Sequence, residues 1–143
     1  MNKYFACCVF AILAILSGCG KNIPISGTVT FSDDGSPLTV GTVIFTNGTQ
    51  NATGHLDANG HYRLGFEKAG NGIPKGDYSV YISGANTVVG TLQSTDESDD
   101  AKRADYVSVI DKKFASAQKS GLRFSVDGST KTFDFQVDRA PKP

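Results

Sequence analysis

Ile25-Ser26-Gly27-Thr28-Val29-Thr30-Phe31-Ser32 decides the fold. Ile25, Gly27, Val29 and Phe31 alternate with four small hydroxyl residues. Successive side chains of a strand point to opposite faces, so this period of two marks a half-buried β-strand. Asp33-Asp34-Gly35-Ser36-Pro37 follows, a cluster of residues that favour turns. Pro24 and Pro37 stand at strand starts, where a missing N–H protects a sheet edge, and Lys131 serves the same end.

The same grammar repeats downstream. Leu38 to Thr46 reads as a second strand, with Val43 and Phe45 inward. Gln50 to Asp57 and His61 to Phe66 flank Ala58-Asn59-Gly60, a hairpin signal. Asp77 to Gly84 puts Tyr78, Val80 and Ile82 on one face. Thr87 to Leu92 is a weaker strand, and Tyr106 to Ile110 a short one. Ser94 to Lys102 is polar and acidic, hence a solvated loop. Lys112 to Lys119 is a helical turn or a loop. Leu122, Phe124 and Val126 alternate, as do Phe133, Phe135 and Val137, before a polar tail over 139–143. No 3.6-residue stripe is present over residues 19–143. Short strands at intervals of 8–12 residues predict an all-β antiparallel sandwich of about seven strands over residues 25–138.

Three of these segments carry a family resemblance. Ile25–Phe31 with Asp34-Gly35-Ser36-Pro37-Leu38 and Gly41-Thr42-Val43-Ile44-Phe45 resembles the start of a carboxypeptidase regulatory-like, transthyretin-like domain. Leu56–Leu64 resembles its D-x-x-G-x-Y-x-L hairpin, and Ile73–Val80 its P-x-G-x-Y-x-V segment. Ser120-Gly121-Leu122 and Thr132–Phe135 resemble the C-terminal part of small lipoproteins of this type from Planctomycetes and their relatives. The resemblance implies a transthyretin-like (prealbumin-like) Greek-key β-sandwich and an accessory or adhesive module without activity. Fold analogy alone does not assign a function.

Ahead of the sandwich stands an address. Lys3 supplies a positive start, and Tyr4 to Leu16 is an uncharged, largely apolar run of 13 residues. As a helix that run spans roughly 20 Å, short of the ~30 Å hydrocarbon core, and so fits a signal-peptide core rather than a membrane span. Leu16-Ser17-Gly18-Cys19 resembles the lipobox of bacterial lipoproteins. That resemblance implies cleavage after residue 18 and acylation of Cys19. Residues 19–24 then form a lipidated tether, and Gly20–Pro24 reach at most ~17 Å. Stable anchoring takes two or more acyl chains. The expected location is the bacterial cell envelope on a membrane, the outer one slightly favoured by the absence of Asp after the cysteine.

Processing also changes the arithmetic of the whole chain. The 143 residues carry 14 Lys and Arg, 14 Asp and Glu, and three Cys. Cys7 and Cys8 leave with the signal and Cys19 is the anchor, so the folded domain has no disulfide. The balance falls to about −1 on 125 residues once Lys3 is gone. Such a domain buries roughly two thirds of its unfolded surface and needs no staple. Near-zero net charge argues against nucleic acid as a partner.

Candidate chemistry is sparse. If Leu56 and Tyr62 both point inward, the hairpin pairs 56 with 62 and 57 with 61. Ala58-Asn59-Gly60 is then a three-residue loop with Gly60 at a positive φ. His55, Asp57 and His61 share an outward face in that register, with Arg63 opposite His55. A nearby fixed cation opposes a second one, so a polar hairpin face is expected and no metal site. A two-residue loop would put the two histidines on opposite faces. Asp57–Gly60 lacks the ligand pattern of a calcium loop. Asp96-Glu97-Ser98-Asp99-Asp100 reads as solvated. Asn47-Gly48-Thr49 and Asn51-Ala52-Thr53 match glycosylation sequons but read as turn residues. Tyr81 is a lone outward aromatic. Neither G-x-S-x-G nor a phosphate-cradling glycine loop occurs. The expectation is a non-enzymatic, lipid-anchored envelope protein with no cofactor and a structural or binding role. Its partners are membrane lipid through Cys19 and an envelope protein or polysaccharide. The rival readings are a binding module for envelope polysaccharide or a small solute, and a transthyretin-like hydrolase.

Overall fold

The computed structural model describes residues 21–66, 68, 70–92 and 103–142. The expected signal helix, Cys19 and the acidic run Asp96–Asp100 lie outside the described residues. Nine strands and a short 3-10 turn at Lys112–Ala115 make up the regular structure described. The expected all-β sandwich is what the chain forms.

Seven strands build two layers. One sheet runs β4 (His61–Arg63), β1 (Ser26–Phe31), β9 (Phe135–Val137). The other runs β3 (Asn51–His55), β2 (Thr42–Thr46), β5 (Gly76–Ser83), β8 (Leu122–Val126). The two remaining strands, β6 (Asn86–Leu92) and β7 (Arg103–Ser108), form a separate ribbon. Total strand count therefore exceeds the expected seven, while the sandwich itself matches it. One pairing departs from an antiparallel sandwich: β1 and β9 are parallel, with Val29 opposite Phe135 and Phe31 opposite Val137.

The second strand is shorter than its sequence suggests. Leu38 is buried, but its amide bonds Val29 O at 3.0 Å, so it belongs beside β1. The chain turns at Gly41 (φ +119) and only then enters β2 in the opposite layer. The apolar alternation changes phase at the crossing, from Leu38 and Val40 to Val43 and Phe45.

Inward residues of both layers meet around Phe45, which has no exposure. The rings of Tyr62, Tyr78, Phe124 and Phe133 surround it, with centroids 5.9–6.3 Å away. Tilted and edge-on aromatic pairs at such spacing add to plain area burial. The two tyrosines pair their hydroxyls, Tyr62 donating to Phe133 O (2.6 Å) and Tyr78 to Pro74 O (3.0 Å). Among the described residues, no buried side-chain polar atom lacks a partner.

Residues 139–143, read as a polar tail, begin with a fixed residue. Arg139 lies 3.7 Å from the centre of the Phe31 ring and donates to Asp33 and Asp34 at 2.8 Å each. Ala140 N bonds Val109 O, so the described tail closes the end of the sandwich from which the ribbon departs.

Candidate functional site

The hairpin turn folds as its sequence requires. Asp57 Oδ1 accepts from the amides of Asn59 (2.8 Å) and His61 (2.9 Å), and Asp57 O accepts from Gly60 N (3.0 Å). Gly60 sits at φ +75, the left-handed region that closes such a loop without Cβ strain. Asp57 N bonds His61 O, and Thr53 bridges Gly65 in the same register. The strands then part into opposite layers: His55 pairs with Thr42, and His61 with Thr28.

The outward side chains line an open groove of about 710 Å³. His55, Asp57, His61 and Arg63 face it together with Thr28 and Asp134. His55 Nδ1 lies 2.9 Å from Thr42 Oγ1, and His61 Nδ1 lies 3.9 Å from Asp57 Oδ2. The His61 and Asn59 amides, with a smaller contribution from His61's charge, hold the Asp57 carboxyl below the usual carboxylate range. Asp134 Oδ1 accepts from Thr28 N at 2.7 Å. Beneath the groove, burial first and the Asp134 charge second push the Tyr62 hydroxyl far up. A phenol so placed is a donor and not a base. Among the described residues, no three His, Cys, Asp or Glu side chains converge as metal ligands would.

A second groove of about 790 Å³ lies over β5 and β8, between the Thr46–Gly48 turn and Ala117-Gln118. Its charged groups are Asp77 and Arg123. Ser125 Oγ donates to Asp77 Oδ1, and Arg123 Nη1 donates to Leu122 O (2.9 Å) and Ala117 O (3.3 Å). Asn47 Oδ1 closes the adjoining turn by accepting from Thr49 N and Gln50 N, the turn role expected of it. Tyr81 is half-buried and lies opposite Ile44 in the β2–β5 pairing.

The hairpin set His55, Asp57, His61 and Arg63 is brought together as its register dictates. Sequence reasoning missed Asp134 and Thr28 as neighbours of that set. Antiparallel pairing with β4 sets Thr28 beside His61, and parallel pairing of β1 with β9 brings Asp134 to Thr28 from 106 residues away; the signal available was only the short Asp134 between Phe133 and Phe135. Cys19 lies outside the described residues.

No family model matches the chain, and no curated protein matches it. Among solved structures, it is similar to the crystal structure of BcpA*(D312A), the major pilin subunit of Bacillus cereus. That likeness has 16% identity and a TM-score of 0.47, covering 85% of this chain and 30% of the pilin. It is also similar to a 9R-lipoxygenase from Cyanothece PCC8801, with 19% identity and a TM-score of 0.36, covering 81% of this chain and 16% of that one. The chain thus spans less than a third of either protein. Among the described residues, no helix is long and apolar enough to cross a membrane.

Proposed function

We propose that this is a lipid-anchored protein of the bacterial cell envelope, held by acylated Cys19, whose transthyretin-like, carboxypeptidase regulatory-like sandwich is a non-catalytic structural module. One observation carries the non-catalytic part. The carboxylates in both grooves are engaged in building the fold: Asp57 in its turn, Asp134 on the Thr28 amide, Asp77 on Ser125. Arg123 likewise donates to backbone carbonyls. A nucleophile works beside a base that a third group orients, and among the described residues no carboxylate bonds His55, the base beside the Thr42 hydroxyl. The resemblance motifs support the module: the D-x-x-G-x-Y segment forms the Asp57–Gly60 turn, and the P-x-G-x-Y-x-V segment leads into β5.

Metabolic labelling with a fatty acid tests the anchor. The wild-type chain takes up label and fractionates with membrane, whereas Cys19→Ala takes up none; label persisting in that variant overturns the lipoprotein reading. Complementation tests the rest. A His55→Ala, His61→Ala, Arg63→Ala triple variant rescues whatever envelope defect deletion produces, because the turn is held by Asp57 and backbone amides. Loss of rescue by a folded triple variant favours the hydrolase reading instead.

A further inference from the structure

The near-zero net charge hides a separation along the long axis of the sandwich. Lys21 and Ile23 enter at one end, where Ile23 and Ile73 exchange backbone bonds of 2.7 and 2.9 Å. Lys75 follows two residues later. A Cβ placed on Gly128 would lie 3.3 Å from Ile23 Cδ1 and 3.6 Å from Lys75 Cε, so these side chains share one end of the molecule. Lys131 O accepts from Ser26 N (3.0 Å), at the start of β1. Lys68 sits on the loop closed by the Phe66 N–Gly72 O bond, and Gly72 abuts Ile23 O. Lys21, Lys68, Lys75 and Lys131 are all exposed, and among the described residues none enters an ion pair. Three described carboxylates stand beside them, each already occupied: Asp127 by Ser129 N and Oγ, Asp77 by Ser125 Oγ, and Asp134 by Thr28 N. Glu67 adjoins them in sequence, outside the described residues.

The other end balances its charges. Asp33, Asp34, Asp111 and Asp138 gather there with Lys112, Lys113, Arg139 and Lys142, where Arg139 and Lys113 are already paired with aspartates. β5 runs from the lysine end at Gly76 to this one at Ser83, an eight-residue strand of roughly 26 Å.

We infer that the lysine end is a docking surface for the anionic phosphate headgroups of the membrane. This rests on the lipoprotein reading above. The tether joins the sandwich at that same end, and because Ile23 is already bridged to Ile73 only Gly20–Asn22 separate it from Cys19, within ~10 Å of the bilayer and inside the range over which salt leaves charge unscreened. Lysines near an anionic bilayer each strengthen attraction by roughly a factor of five. The far end is balanced in charge and roughly 26 Å further out, beyond the screening length, so the attraction acts on the lysine end alone. That one-ended attraction stands the sandwich upright on its tether, with the β6–β7 ribbon leaving from the end away from the lipid.

Amine footprinting of the full processed protein tests the inference. The protein is added to preformed phosphatidylcholine vesicles, with or without a third of phosphatidylglycerol. Acetylation of each lysine is then read by mass spectrometry, with Lys112 as the far-end reference. Labelling of Lys21, Lys68, Lys75 and Lys131 relative to Lys112 falls at least about threefold on the anionic vesicles, and high salt abolishes the fall. Equal labelling on both vesicles overturns the inference, as does equal protection by inorganic phosphate without vesicles, which marks a soluble anion as the occupant. Lys75→Glu with Lys131→Glu relieves protection at Lys21, whereas Lys142→Glu, at the far end, leaves it. The mass of the N-terminal peptide reports acylation independently. If acyl mass is absent, the anchor reading fails by itself, and headgroup docking is read from co-sedimentation of the same chain with anionic vesicles at low salt. No low-salt protection of the four lysines there overturns it as well.

Discussion

β5 and β6 follow each other in the chain and meet opposite fates. In β5, Tyr78, Val80 and Ile82 alternate with polar residues and are almost wholly buried. In the ribbon, Val88, Val89, Tyr106 and Val107 are 54%, 58%, 63% and 44% exposed. Both are antiparallel and both are rich in β-formers. The difference is the layer across from them. β5 faces the β4–β1–β9 sheet, with Phe45 between; among the described residues the ribbon has no sheet on either face. Alternation specifies a strand, and only a second layer turns the alternation into burial.

The largest consequence falls on the sandwich. Phe45→Ala removes the ring on which four other aromatics close, and the cavity term adds to the lost transfer energy. It should cost about 3–5 kcal/mol in urea unfolding. A loss below about 1 kcal/mol would mean that the layers are not joined through Phe45.

Next comes the turn that passes the chain from one layer to the other. Gly60→Ala forces a side chain onto a backbone at φ +75, and its Cβ would lie 2.6 Å from Val29 O. Strain of this kind costs roughly 1–3 kcal/mol. Gly35→Ala, at φ +69 but with open space around it, is the matched control and should cost less. Equal losses would show that the close approach to Val29 contributes nothing.

Local alternation and turn chemistry made this much legible. The Asp57–Gly60 loop, its register and the positive φ at Gly60 follow from placing Leu56 and Tyr62 inward. What sequence hides is where neighbouring segments separate. Leu38 to Thr46 reads as one strand, yet Leu38 and Val43 lie in different layers, because Leu38 N finds Val29 and Gly41 permits the crossing; the shift of apolar phase between Val40 and Val43 is the trace it leaves in the sequence. The parallel β1–β9 pair is equally invisible, since nothing local in Val29-Thr30-Phe31 selects Phe135-Gln136-Val137 over a nearer partner. The groove inherits both outcomes: its hairpin half was readable, and its Asp134 half was not.

A smaller effect tests the aspartates at the far end of the sandwich. The Ser36 hydroxyl and amide, with Arg139 after them, hold Asp34 down to about 2 from a usual 3.8. Lys113 first and Ser32 second lower Asp138 as well. A carboxylate depressed in the folded state gives stability that is present above its unfolded pKa and is lost as pH falls through its folded one. The window is thus about pH 4 down to about pH 2, and the acid limb of a circular-dichroism titration should lie there. Asp34→Asn should be less stable than wild type at pH 7, with the gap closing toward pH 2. A gap independent of pH would remove the charge from the explanation. Exposed pairs of this kind rank below core packing.

The smallest effect belongs to the ribbon, and it is the sharpest test of the comparison. If burial comes from the opposite layer and not from the strand itself, Val88→Thr and Tyr106→Thr should each change unfolding free energy by less than about 0.5 kcal/mol. Both keep β-propensity, and Val88 pairs directly with Tyr106, so the double variant probes one cross-strand contact of modest worth. The same chemistry in β5, Val80→Thr, places a hydroxyl at a site with no exposure, where an unpaired polar group costs roughly 1–3 kcal/mol. Hydrogen exchange reads the contrast without mutation. Amides of Val88 and Tyr106 open locally and exchange fast, whereas those of Val80 and Phe45 wait for global unfolding. Ribbon amides as slow as those of β5 would mean that a covering layer exists for the ribbon too, and the two regions would no longer differ in kind.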